Sequence, residues 1–185
     1  MWAALAYLVF WDDVGRRGVL DPRTMIAFAL LLGAPAATFI PLSRWASAPL
    51  YDIEGIAGWG SLGFMLAFVE PRDPLSLGQF VAFLIALTVA LATAASMIAY
   101  LVGLRVVRTA ARRRDFLRAR RQGYIAAFYV VSITVLSSVG TLTLISAAMM
   151  LVLVILVELL ALAHTSRNLL RAGVGPRRAG GAGSR

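Results

Sequence analysis

Gly123–Ala163 is a run of 41 residues that carries a single charge, Glu158. As one helix it would be about 60 Å long, twice the ~30 Å hydrocarbon core of a bilayer. The run therefore divides into two helices. The division falls at Ser137-Ser138-Val139-Gly140-Thr141, where small polar residues and a glycine favour a tight turn. A chain that must place 41 such residues has few soluble solutions. The rest of the sequence has the same character. Hydrophobic residues make up 60% of the 185 positions and charged residues 15%, against ~25% charged in soluble proteins. Mean hydropathy is +0.81. A water-soluble domain of this size has too little interior to bury that much apolar surface. These features predict an all-α integral membrane helical bundle in one domain, residues 1–163, with four to five transmembrane helices and a C-terminal helical hairpin.

The expected spans are 24–42, 56–69, 79–104, 123–138 and 142–163. Residues 1–11 (MWAALAYLVFW) are apolar but would reach only about 16 Å as a helix. They carry Trp2, Tyr7 and Trp11, which favour headgroup depth, so an interfacial helix is predicted. No signal peptide is expected there, because a basic start and a small-residue cleavage site are missing. Gly33, Pro35 and Pro41 interrupt 24–42, and Pro35 is expected to kink it. Residues 43–55 read as a loop. The short segment 56–69 holds Gly58, Gly60 and Gly63 and is expected to span. Its Gly58–Gly63 run fails the serine-hydrolase elbow, because Trp59 stands where a glycine is needed. Residues 70–78 form a turn fixed by Pro71 and Pro74. Residues 164–185 hold five Arg and end in RRAGGAGSR, a composition that predicts a disordered basic tail.

The net charge is +9, and all 18 basic residues are Arg. Residues 105–121 hold eight Arg and one Asp. By the positive-inside bias this loop and the C-terminal tail face the cytoplasm, in a bacterial plasma membrane, and the 70–78 turn lies outside. Residues 12–23 then put three Arg outside, against that bias. Arg112, Arg113, Arg114, Arg118 and Arg120, with Phe116, Leu117 and Tyr124 interleaved, suggest a short amphipathic helix. Its natural partner is an anionic lipid headgroup. No nucleic-acid partner is expected, since headgroups and topology account for the basic excess.

Cysteine is absent, which excludes disulfides, thiol catalysis and Cys-ligated metals. The one histidine, His164, lies six residues beyond Glu158, on a different helix face, and reads as a solvated boundary residue. Glu158 is the only ionisable residue inside a confident span. Its shallow depth predicts an ion pair with Arg105 or Arg121, or with the neighbouring Arg120. Ala82, Ala86, Ala90 and Ala94 recur every four residues and predict a packing seam, because small side chains let helix backbones approach. No paired carboxylates, nucleophile–base set or phosphate loop is visible. The chain thus reads as a non-enzymatic scaffold or accessory subunit without a cofactor, in a homo-oligomer or a larger membrane complex. The alternative is a small transporter or channel protomer, suggested by the interruption at Pro35 and the glycine-rich 56–69 segment.

Residues 56–163 resemble a loose class of small, uncharacterised bacterial multi-pass membrane proteins. Val69-Glu70-Pro71, Arg121-Gln122-Gly123, Gly140-Thr141-Leu142-Thr143 and Glu158 carry the likeness. This chain differs in its Ala and Val content and its longer N-terminal region. The resemblance implies the same topology, an Arg-rich loop followed by an apolar hairpin, and no activity.

Overall fold

The structure is a computed structural model. It describes residues 1–69 (except 13, 17 and 19), 76–106 and 116–173. The described residues form α1 (Trp2–Phe10), a 3-10 turn (Val14–Arg16), α2 (Pro22–Ala46), α3 (Tyr51–Phe68), α4 (Leu77–Val106), α5 (Phe116–Ser138) and α6 (Leu144–Gly173). The fold is all-α. Two of these helices, α2 and α4, are long and apolar enough to cross a membrane by length and composition. The chain divides into two compact units, Met1–Leu142 and Thr143–Arg185.

In the first unit α3 packs between α2 and α4, and α4 packs between α3 and α5. Local sequence sets the ends. Asp21 caps α2, its carboxylate accepting from the Arg23 N–H at 2.8 Å, and Pro22 occupies the first turn, where no donor is needed. The helix stops at Ser47, which takes φ 51°, and Leu50 enters α3 at φ 65°. Left-handed backbone at two non-glycine residues costs about 1–2 kcal/mol each, and it reverses the chain within four residues. The reversal lays Tyr51 into the interior.

Several expectations change here. Pro35 and Pro41 both lie inside α2, which is helical without a break from Pro22 to Ala46. The carbonyl that Pro35 cannot satisfy is that of Leu31. Gly60 of α3 lies against it, so that a Cβ there would sit 3.3 Å from the oxygen. The close approach of α3 thus occupies the place that the proline vacates. Helix α3 begins at Tyr51 rather than near 56, with Asp52 and Glu54 in its first turn, where the helix dipole favours acids. Helix α5 begins at Phe116, so Arg118, Arg120 and Arg121 share one helix with the apolar stretch after Gly123 instead of forming a separate amphipathic piece. Helix α1 packs on α2 and α3. Trp2 donates to Thr38 Oγ1 at 2.9 Å and meets Trp59 edge-on.

Two clusters hold the unit together at opposite ends. At one end, Phe39, Tyr51, Phe116 and Tyr100 join α2, α3, α5 and α4 ring to ring, with centroids 5.1–5.6 Å apart. Trp45 adds to the same end through Tyr100. At the other, Leu5, Leu31 and Ala34 are buried with Phe28 and Phe68, whose rings stack at 4.6 Å. Val14 of the 3-10 turn is fully buried, and Gly15 lies against the Ala67 carbonyl. Arg23 closes this end in a two-oxygen ion pair with Asp12, at 2.9 and 3.0 Å.

The second unit is α6. The helix runs on to Gly173, past the point near 163 where a disordered tail was expected. Large apolar residues from Leu144 to Leu160 are exposed around it, and Glu158 is half-buried. In the turn before it, Gly140 adopts φ +71°, which glycine accepts without steric cost.

Candidate functional site

The polar side chains of the first unit converge on α4, just inward of the aromatic cluster. Thr93 and Ser96 are each 1% exposed. Thr93 Oγ1 donates to the Ala90 carbonyl at 2.8 Å, and Ser96 Oγ lies 2.6 Å from the Ala92 carbonyl. Helix α4 thus satisfies its own hydroxyls, as buried polar groups require. From α3, the Tyr51 hydroxyl donates to the Thr93 carbonyl at 2.9 Å and Trp59 Nε1 to Thr93 Oγ1 at 3.3 Å. From α5, the Arg120 carbonyl lies 3.4 Å from Ser96 Oγ.

Glu54 and Arg120 form an ion pair between α3 and α5, 66 residues apart in sequence, with both side chains less than a third exposed. Tyr124, one turn along α5, lies beside both. Shielding strengthens such a pair but also removes two ions from water, so its net contribution is modest while the loss of one partner is costly. Chemically, the carboxylate is neutralised, the hydroxyls are spent on helix carbonyls and the rings pack on one another. This arrangement supplies cohesion and orientation. Among the described residues no group of three or more His, Asp or Glu is placed to hold a metal.

The residues singled out from sequence fall as follows. Ala86 and Ala90 are buried, Ala94 is half-buried and Ala82 is exposed. The closest approach of α3 to α4 is at Gly58, where a Cβ would lie 2.9 Å from the Ala90 nitrogen. Toward Ala82 the two helices diverge around an apolar groove of about 390 Å³. A second groove, of about 490 Å³, runs between α2 and α3 past Leu32, Ile53 and Phe64. Leu substitution at Ala90 is therefore expected to lower thermal stability in detergent by about 1–3 kcal/mol, and at Ala82 by less than about 0.5 kcal/mol. Equal losses at the two sites would show that the packed stretch has been misplaced.

Arg105 is exposed in the last turn of α4, and Arg118 and Arg121 are half-buried on α5. Glu158 belongs to the second unit, while Arg105 and Arg121 belong to the first. Arg120, expected as a headgroup contact, is held inside the protein by Glu54. Arg112, Arg113 and Arg114 lie outside the described residues, as do the 70–75 part of the proline turn and the tail beyond Gly173. From sequence Glu54 falls in the 43–55 loop unless the helix starts at Ile53, and no partner for it is visible there. An acid just before an apolar run is a helix-start signal, and it would have moved the boundary.

Set against known proteins, the chain matches no family model, no curated protein and no solved structure.

Proposed function

We propose that the chain is a multi-pass membrane protein that acts without catalysis, as a scaffold or accessory subunit of a membrane complex. The observation that carries this reading is the outward surface. Ile26 and Leu32 on α2, Phe64 and Leu66 on α3, Ile85 and Ile98 on α4, and Phe128 and Val130 on α5 are all exposed. Soluble monomers rarely present apolar surface so continuously. The charged residues lie toward the helix ends. Trp45 is exposed at the Arg-rich end, and Tyr7, Phe10 and Trp11 at the end that Arg23 and Asp12 close. Amphipathic rings at two levels suit the two faces of a bilayer. In this reading α3, α5 and α6 also cross, and the ends of α4 and α5 bearing Arg105, Arg118 and Arg121 face the cytoplasm and anionic headgroups. The transporter alternative drew on an interrupted helix at Pro35. The unbroken course of α2 favours the scaffold.

The chain lacks Cys, so single reporters are available. Ser76 and Leu117 are exposed and flank α4. With Ser76→Cys and Leu117→Cys in intact cells, an impermeant maleimide is expected to label only the first. Labelling of Leu117→Cys without permeabilisation sinks the orientation. Release of the chain from membranes by alkaline carbonate sinks the membrane assignment itself. Purification in mild detergent with a stoichiometric partner supports the accessory role, and solute flux from liposomes holding the chain alone overturns it.

A further inference from the structure

Helices α2 and α4 are long and apolar enough to cross a membrane by length and composition, and α3 and α5 are less so. Helix α3 opens with Asp52 and Glu54 in its first turn, and α5 opens with Arg118, Arg120 and Arg121. Each of the two carries, at its start, the residue types that oppose partition into lipid. These are also the two helices packed on α4. Gly58 brings α3 onto Val89 and Ala90, and Gly123 brings α5 onto Ala92 and Ser96. Thr93 receives Tyr51 and Trp59 from α3, and Ser96 faces the Arg120 carbonyl of α5. The acid of one marginal helix then meets the base of the other, Glu54 against Arg120.

We propose that α3 is a dependent membrane span, held across the membrane by the docked α5. Helix α4 inserts on its own strength and offers a seat on each flank. Helix α3 holds a spanning position only when α5 is docked and Arg120 covers Glu54, because the uncovered carboxylate favours withdrawal of the α3 start toward water. The proposal rests on the membrane reading above. It assigns the Glu54–Arg120 pair a role in insertion, beyond the stability that any ion pair lends.

The test uses the full chain in native membranes, with single cysteines at Ser47, Ser76 or Leu117 and an impermeant maleimide applied to one side. All three positions are exposed, and Ser47 and Ser76 flank α3. In the parent, Ser47→Cys and Ser76→Cys label from opposite sides, which reports α3. Ser76→Cys and Leu117→Cys also label from opposite sides, which reports α4. Arg120→Leu is expected to cut the fraction of chains with crossed α3 by at least about twofold, while α4 remains crossed. Glu54→Leu/Arg120→Leu is expected to restore it, since neither charge is left. Full crossing of α3 in Arg120→Leu overturns the proposal and leaves the membrane reading intact. Should Arg120→Leu be degraded, survival of the double variant with α3 crossed supports the proposal, and loss of both variants overturns it. Parent chains in which Ser76→Cys and Leu117→Cys label from the same side overturn the membrane reading, and the proposal with it.

Discussion

Tyr51→Ala is expected to lower stability in mild detergent by about 3–5 kcal/mol, the range for truncating a buried aromatic ring. Tyr51 is 1% exposed, and its ring stands edge-on to both Phe39 and Phe116. It is the residue through which α2, α3 and α5 meet at the Arg-rich end. Its hydroxyl adds one hydrogen bond, to the Thr93 carbonyl. Tyr51→Phe removes only that bond, for about 0.5–1.5 kcal/mol, and leaves a helix carbonyl as the former acceptor. The measurement is thermal unfolding followed by circular dichroism, with the two variants side by side. The gap between them isolates the ring. If Ala costs no more than Phe, the ring is not packing as described, and the end cluster is not a source of cohesion.

Gly123→Val is the second large effect, and its cause is different. A Cβ at this position would collide with Ser96 Oγ, the Ser96 nitrogen and the Ala92 carbonyl. Two of those atoms are backbone and cannot swing aside, so α5 must move off α4. Overpacking of this kind costs about 1–3 kcal/mol or more. Ser96→Ala in the same chain relieves only the hydroxyl part of the clash, so rescue is partial. Gly103→Val is the control, because a Cβ there meets nothing within 4 Å. It should be neutral within about 0.5 kcal/mol, helped by a better helix propensity than glycine. Equal effects at positions 123 and 103 would mean that α5 does not lie this close to α4.

The contrast between these two residues shows what was legible beforehand. Apolar run length located α2 and α4 to within a few residues, because charge or proline ends each run and the length itself fits a crossing. The starts of α3 and α5 were lost for the converse reason. Asp52 and Glu54 look like solvated loop, and Arg118–Arg121 like a separate amphipathic helix, when only neighbours in sequence are considered. The pairing of Glu54 with Arg120 spans 66 residues, and no local pattern contains it. The alanine stripe is not uniform along its length. Ala86 and Ala90 are buried, yet Ala82 is exposed, since period-four spacing marks a face and says nothing of how far along it a neighbour stays close. The local rule for proline predicted a kink in α2; the approach of Gly60 to the Leu31 carbonyl is tertiary and was invisible. The aromatic end cluster was invisible as well, because its rings come from four separate segments.

The seat of the N-terminal segment has a consequence for the order of events during synthesis. Trp2 rests on Trp59, and Gly15 lies against the Ala67 carbonyl. Residues 2–15 therefore meet their neighbours on α2 first, at Leu31, Ala34 and Thr38, and complete the set only after residue 67 has been made. At about 5–20 residues per second that is a wait of about 3–13 s. Through that interval α1 has only the α2 part of its docking surface, and on the membrane reading its aromatic residues suit the bilayer surface. Helix α1 is thus seated in two stages, first on α2 and in full only when α3 has been made.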